Sequence, residues 1–403
     1  MRIFLATCGS RGDVQPMIAL SLALQSSGHE VMLAGPPEKK AWAEKLGCPY
    51  TELGTDATAF IDNLEDAVSL KTGMKFISFV YQEIITQFEI LPELIQNADL
   101  VIASSLVFAL SSLAEARSIP YRYIAFTPQI LPSCEHPFPA IQFQRMPRWC
   151  NKLSWDLTRI GDRFCLTRMI NKYRKKIGLH SIKNVLEHIL GENTLVAADK
   201  QIAKIPFDIQ KKTTQTGYMH LDLPTKNLPE LDHFIDKGSA PIFAGFGSMP
   251  PKDQARNIPL LVEAARMVNK PIIIAKFWDG FCEFNHAADV FFLQKYPHLK
   301  LFSKMSVVIH HGGAGTTATC AACGVPQIIV PHILDQYYHG HKVYVSHLGA
   351  KPIWRSRLSL EKLVSALNDC LYTDRIQNTV KTQALSIDQK KNMALTVRNL
   401  TIP

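Results

Sequence analysis

Arg2-Ile3-Phe4-Leu5-Ala6-Thr7-Cys8-Gly9-Ser10-Arg11-Gly12-Asp13 begins as an apolar run and ends in a glycine loop. An amphipathic pattern follows, with Met17, Leu20 and Leu24 at helical spacing, and it closes at Gly28-His29. Glu30-Val31-Met32-Leu33-Ala34-Gly35 is then a second apolar run of strand length. Strand, glycine loop, helix and strand in this order form a βαβ unit. Strands this uniformly apolar are covered on both faces, which points to a parallel sheet. Leu100-Val101-Ile102-Ala103 and Tyr123-Ile124-Ala125-Phe126 supply further strands with a helix between them. The rhythm restarts at Pro241-Ile242-Phe243-Ala244, runs into Gly245-Phe246-Gly247-Ser248, and continues through apolar runs at 271–275, 307–310 and 327–330. The fold class implied is α/β, with two facing Rossmann-like domains, each built on a parallel sheet. Asp222-Leu223-Pro224-Thr225-Lys226-Asn227-Leu228-Pro229 is proline-rich and polar between the two halves. The expected division is therefore 1–220, a linker over 221–240, and a second domain over 241–385.

The chain of 403 residues is 47% hydrophobic and 20% charged. That composition supports sizeable cores and excludes disorder, collagen-like repeats and a disulfide-stapled miniprotein. Formal charge is 44 − 35 = +9, but it is concentrated. Residues 141–180 hold ten Lys and Arg against Asp156 and Asp162, a local +8 that leaves +1 for the other 363 residues. One basic element, with no accompanying binding motif, argues against a nucleic-acid partner. Trp149, Leu153, Trp155, Leu157, Ile160, Phe164, Leu166, Met169 and Ile170 are interleaved with these charges. Two readings stay open. The segment is either an amphipathic helix packed on the N-terminal domain with a solvated basic face, or a surface that docks on anionic membrane to reach a lipophilic acceptor. Nine cysteines, an odd number scattered from Cys8 to Cys370, suit a reducing compartment. The longest uncharged apolar stretch, 100–114, is fifteen residues with four serines. A membrane span needs about 20, and the N-terminal run is too short for a signal sequence. The expected location is cytoplasmic, with any membrane contact peripheral at the inner face.

Ser10-Arg11-Gly12-Asp13 lies at the carboxyl end of the first strand, where open α/β sheets place ligands. Taken as residues alone, Asp13 reads equally well as a helix-capping acid. The third glycine of a dinucleotide fingerprint and the lysine of a phosphate loop are both missing. His310-His311-Gly312-Gly313-Ala314-Gly315-Thr316-Thr317 is more specific, following a strand and opening a helix. Small residues let a phosphate approach the backbone, the helix start carries partial positive charge, and a histidine at its mouth can donate to the same anion. Asp335-Gln336 lies beyond the next strand, and an acid beside an amide suits adjacent sugar hydroxyls. Cys320-Ala321-Ala322-Cys323 has no second ligand pair and is expected to pack against the core. His332, His339, His341 and His347 are read as an enrichment near the pocket, with no metal site expected.

In this order, Thr7 to Pro16, Gly245-Phe246-Gly247-Ser248-Met249-Pro250 and the stretch from His310 to Gln336 resemble the family 1 glycosyltransferases of the two-Rossmann (GT-B) type. The similarity is to the sterol and glycopeptide-antibiotic glucosyltransferases, and it spans essentially the whole chain. It implies that Asp13 is the general base, that His311 and Ser248 face the donor diphosphate, and that Asp335 and Gln336 hold the transferred sugar. The expected donor-binding set also takes in Ser10, Gly12, Gly247, His298, Gly313, Ala314, Gly315 and Thr316. Phe126, Thr127 and Pro128, with the segment 132–149, are expected to form the acceptor pocket, and 386–403 to cross back to the first domain as a helix. Where relatives commonly read Asp-Gln-Pro-Phe-Trp, this chain has Tyr337-Tyr338-His339 after the pair.

The implied reaction moves a hexose, glucose before others, from a UDP or dTDP sugar to a hydroxyl of a lipophilic small molecule or lipid. Inversion at the anomeric carbon is expected. No cofactor and no metal are expected, since the sequence contains no Asp-x-Asp motif. Two rivals are a non-catalytic activator of a transferase and a sugar-nucleotide epimerase of the same fold. An intact Asp13, His311 and Asp335-Gln336 argue against the first, and an epimerase needs no aglycone pocket.

Overall fold

A computed structural model describes residues 1–56, 70–224, 227–246, 251–275, 287–294 and 296–401. The N-terminal sheet contains β1 (Arg2–Cys8), β2 (Glu30–Gly35), β3 (Tyr50–Glu52), β4 (Leu100–Ser105), β5 (Tyr121–Ala125), β6 (Asn193–Val196) and β7 (Lys212–Gln215). Its strand order is β3-β2-β1-β4-β5-β6-β7, with every pairing parallel. The second sheet contains β8 (Ile242–Gly245), β9 (Ile272–Ala275), β10 (Val290–Leu293), β11 (Val307–His310) and β12 (Gln327–Ile329), in the order β10-β9-β8-β11-β12. It too is parallel throughout. In each sheet the chain order reverses once, beside β1 in the first and beside β8 in the second. Crevices that bind ligands open at such points, outside the carboxyl ends of the strands.

The helices flanking the first sheet are α1 (Arg11–Ser26), α2 (Lys40–Lys45), α3 (Leu70–Leu94), α4 (Leu110–Ala116), α5 (Arg148–Phe164), α6 (Leu166–Lys176) and α7 (Val185–Leu190). Around the second lie α8 (Pro229–Asp236), α9 (Pro251–Met267), α10 (His298–Phe302), α11 (Ala314–Cys323), α12 (Asp335–Val345), α13 (Leu360–Tyr372), α14 (Asp374–Leu385) and α15 (Gln389–Thr401). Alternate side chains of β1 explain its unbroken apolar run. Phe4, Ala6 and Cys8 enter one core with Ile84, Phe88 and Leu91 of α3. Ile3 and Leu5 enter the opposite core with Val14, Met17 and Leu20 of α1. The second sheet divides in the same way, Ile242 and Ala244 facing α9, and Phe243 facing Leu231 and Phe234 of α8.

Two features tie the bodies together. Ile202, Ala203 and Tyr218 share a buried cluster with Ala318, Ala321, Tyr338, Ile376 and Val380. Beyond Leu385, α15 returns to α1, burying Leu400 in the N-terminal core with Met393 and Val397 packed against it. Its Asn392 donates to Asp199 Oδ1 at 2.9 Å, and Gln201 donates to Ser386 Oγ at 2.8 Å.

In the basic segment, α6 packs Met169 and Ile170 into the N-terminal core as the first reading has it, but α5 departs from that reading. Trp155, Met169 and Ile170 are buried, but Trp149, Leu153, Leu157, Ile160 and Phe164 of α5 are exposed. The helix is therefore not packed by its apolar side. Its inner face holds Asn151 and Ser154, which bond to the 134–138 strap: Asn151 Nδ2 donates to Cys134 O at 2.9 Å, and Ser154 Oγ accepts from Phe138 N at 3.0 Å.

Candidate active site

Asp13 occupies the first turn of α1, where Gly9 lets the chain reverse with φ +144, and a Cβ at Gly9 would strike the Asp13 carboxylate. Ser10 caps the helix, and both its N–H (2.8 Å) and its hydroxyl (3.0 Å) donate to Asp13 Oδ2. Ser105 Oγ donates to Oδ1 at 2.6 Å. The register that pairs Cys8 with Ser105 brings that hydroxyl beside the loop, and Tyr123 Oη steadies it by donating to Ser105 O at 3.0 Å. Burial raises the Asp13 carboxyl above the ordinary carboxylate range. The Ser105 and Ser10 bonds pull it back, and the negative charge of Asp335 pushes it up again. A carboxylate so placed is a stronger base than a solvated one. The acid that completes the capping box of α1 thus also lies within reach of the charge of Asp335 on the other body.

The opposing wall is the loop after β11, in which two adjacent histidines divide the work. His310 is buried. Its Nδ1 accepts from Gly312 N at 3.1 Å, so the proton lies on Nε2, which donates to Gln327 Oε1 at 2.9 Å. Gln327 Nε2 in turn donates to Thr317 O at 3.2 Å. Burial drops the His310 pKa to about 3, so the ring is a neutral strut for the loop. Gly312 follows with φ +93, and a Cβ there would lie 2.7 Å from Ile329 Cγ2 and 3.1 Å from Gln336 O. His339 Nδ1 donates to Gly312 O at 2.8 Å, which fixes the turn from the other side.

His311 points out of this framework. Its Nδ1 has no hydrogen-bond partner, and its Nε2 would lie 2.6 Å from a Cβ at Gly313. Burial and the charge of His339 lower it to about 4. Gly313 caps α11 without a side chain, leaving the first-turn N–H groups of Ala314, Gly315 and Thr316 free of any side-chain cap. Neutral imidazole and uncapped helix start together make an anion site. His298 opens α10, stacked on Phe302 at 4.7 Å, and is lowered to about 4 by burial, then by the charges of Arg11 and His311. The charges of Arg11, at the start of α1, and of His311 on the opposite wall thus both reach it.

Asp335 is half-buried at the start of α12, with His339 Nδ1 3.7 Å away. Gln336 Oε1 accepts from His332 N (2.8 Å) and Ile333 N (3.1 Å), so its oxygen holds the loop and only its NH₂ is left to a ligand. Phe126 and Pro128 line a small cavity between the bodies with Asp199, Tyr218, Thr317 and His339. Thr127 instead accepts from Gln129 N at 3.3 Å, capping a short 3-10 turn. Gly12, next to Asp13, donates to Ser10 Oγ at 3.2 Å. Gly247 and Ser248 lie outside the described residues. Ser105, Tyr123, Arg11, His310, Gln327 and His339 are absent from the sequence-derived set. Arg11 and His310 stand inside the two quoted loops and His339 in the noted histidine group, while Ser105 shows only as a polar end to an apolar strand.

Among the described residues no group of three or more His, Cys, Asp or Glu is placed to hold a metal ion. Cys320 is buried in the core, and Cys323 donates to Leu299 O at 3.4 Å. No helix among them is long and apolar enough to cross a membrane.

Residues 3–134 match the glycosyltransferase family 28 N-terminal domain, and residues 264–384 match the erythromycin biosynthesis protein CIII-like C-terminal domain. The vancomycin aglycone glucosyltransferase of Amycolatopsis orientalis is 31% identical over 373 residues, covering 88% of each chain. A sterol 3-beta-glucosyltransferase of Arabidopsis thaliana is 30% identical over 407 residues, covering 96% of this chain and 65% of its own. Among solved structures, the glycotransferase of kitacinnamycin superposes with a TM-score of 0.73 at 16% identity, covering 99% of this chain and 97% of that one.

Proposed function

The chain belongs to the two-Rossmann (GT-B) glycosyltransferases, and from that premise we propose that it moves a hexose, glucose before others, from a UDP or dTDP sugar to a hydroxyl of a lipophilic small molecule or lipid, with inversion. The observation that carries this reading is the facing of two loops at the switch points. Asp13 stands on one, and His311 with the α11 start stands on the other, close enough for the charge of Asp335 to act on Asp13.

The acceptor hydroxyl enters from the N-terminal side and gives its proton to Asp13 as its oxygen attacks the anomeric carbon. The bond from that carbon to the diphosphate oxygen breaks on the opposite face, through an oxocarbenium-like state that leaves the configuration inverted. Negative charge gathers on the departing diphosphate, where the α11 N–H groups and His311 already point. No metal is needed if these donors carry that charge, and no other cofactor takes part. Ser10, Ser105 and Tyr123 hold Asp13 in place, and His310, Gln327 and His339 hold the phosphate loop. Asp335 and the NH₂ of Gln336 take the sugar hydroxyls, with Ser248, Gly247 and His298 completing the donor site. Contact with anionic membrane through 141–180, at the cytoplasmic face, would bring a lipid acceptor within reach.

The test is transfer from UDP-glucose and dTDP-glucose to a panel of sterol and lipid alcohols, read by mass spectrometry, with NMR of the product's anomeric configuration and a parallel assay in EDTA. A β-glucoside formed from the α-linked donor, undiminished by EDTA, supports the reading. An α-linked product or loss of turnover in EDTA overturns the corresponding part.

A further inference from the structure

Helix α5 is turned the opposite way from an ordinary surface helix, which buries its apolar stripe. At 100° per residue, Trp149, Ile160, Leu153, Phe164 and Leu157 fall within an arc of about 80°. All five are between 46% and 73% exposed. The protein-facing side is instead pinned by polar bonds from Asn151 and Ser154 and by Trp155, whose Nε1 donates to His136 O at 3.1 Å. The outward stripe is therefore held out by the inner face.

Charge identifies what covers it. Lys152 and Arg163 are exposed along one edge of the stripe, and the acid on that edge, Asp156, lies 3.7 Å from Arg159. The adjoining α6 adds exposed Arg168, Lys172, Lys175 and Lys176, whereas Arg174 is buried in a bond to Glu115. A second copy of the chain would set one basic edge against another across this face, so self-association there is opposed. Large apolar side chains bordered by lysine and arginine on a helix that cannot span are the pattern of a helix lying in the plane of a membrane interface.

We propose that α5 seats on an anionic phospholipid surface with its Trp149-to-Phe164 stripe inserted among the acyl chains and Lys152 and Arg163 on the headgroups. This deepens, and rests on, the membrane reading of 141–180; it does not depend on the transfer reaction. The seat lies near the crevice. Trp155 meets the His136 ring edge-on at 5.9 Å, and His136 meets Tyr338 of α12 at 5.4 Å, three residues beyond Asp335.

The full chain is sedimented with phosphatidylcholine vesicles, with and without phosphatidylglycerol, at low and physiological salt. At least tenfold tighter binding to the anionic vesicles is expected. Combined Leu153→Gln, Leu157→Gln and Ile160→Gln should lower that binding tenfold or more even at low salt, while turnover of a small water-soluble acceptor stays unchanged. In the unmodified protein, brominated acyl chains should quench fluorescence that Trp149→Phe removes, a readout that survives if the triple variant misfolds. Absence of vesicle binding would overturn both the insertion and the membrane reading. Binding that ignores the triple change and the bromines, but is lost on Lys152→Gln with Arg163→Gln, would leave surface adsorption and overturn insertion. Concentration-dependent dimers without vesicles, dispersed by the triple change, would assign the face to a second copy instead.

Discussion

Asp13 is held by three donors and pushed upward by burial, and each influence can be removed singly. Asp13→Asn should leave donor affinity nearly intact in calorimetry while transfer falls by roughly 10²–10⁴, the weight of a general base. Ser105→Ala removes a bond that favours the charged carboxylate, so the Asp13 pKa should rise further. The base works only when ionised, so activity is lost as pH falls through that pKa. The acid limb of kcat/KM should therefore move to higher pH. An unmoved limb would mean that another group titrates in it. His311→Ala should weaken UDP binding by about 1.5–3 kcal/mol, the cost of losing a hydrogen bond to a charged group, measured calorimetrically. The loops that carry Asp13 and His311 were legible because each is a short glycine-containing run that ends a strand, whereas the roles given to the two residues come from the family resemblance. Ser105 shows in the sequence only as a polar end to an apolar strand; its role comes from β4 pairing beside β1, across 92 residues of chain.

At the scale of the element, the loop between β11 and α11 depends on a conformation as much as on side chains. Gly312→Ala places a methyl in left-handed backbone against Ile329 and the Gln336 carbonyl. Strain of this kind costs about 1–3 kcal/mol. It should appear as a lowered melting temperature together with weakened UDP binding, since the loop must shift to relieve it. A variant matching the unmodified protein in both would show that the turn has room to spare. Strands and helices were legible here from period alone. The apolar stripe of α5 was equally visible, but its direction was not, because periodicity identifies a face without naming what covers it. Likewise 221–240 reads as linker from the prolines and polar residues of 222–229, yet Leu231 and Phe234 of α8, within it, are buried beneath the second sheet.

The joint between the bodies follows from packing that no local pattern reveals. Asp199 is buried there, its Oδ1 accepting from Tyr218 N (3.2 Å) and Asn392 Nδ2 (2.9 Å) and its Oδ2 unpartnered. Burial raises its pKa from 3.8 to about 6. The folded state therefore holds this proton more tightly than the unfolded chain does. The resulting stability is full below about 3.8 and lost as pH rises through about 6. Two pKa units are worth roughly 3 kcal/mol as an upper bound. Asp199→Asn should thus raise the melting temperature at pH 7.5 and change it little near pH 4. A pH-independent effect would show that the carboxyl does not ionise in place. The rhythm of strands made two bodies readable, while the return of α15 to α1 was expected only from the family resemblance. The chain crosses between the bodies twice, between Leu221 and Leu231 and again between Val380 and Leu400. A body tethered at one point keeps three rotational degrees of freedom, whereas one tethered at two keeps a single rotation about the line joining them. Any widening of the crevice is then a one-parameter motion, in which the Asp13–Asp335 and Arg11–His298 separations must rise and fall together.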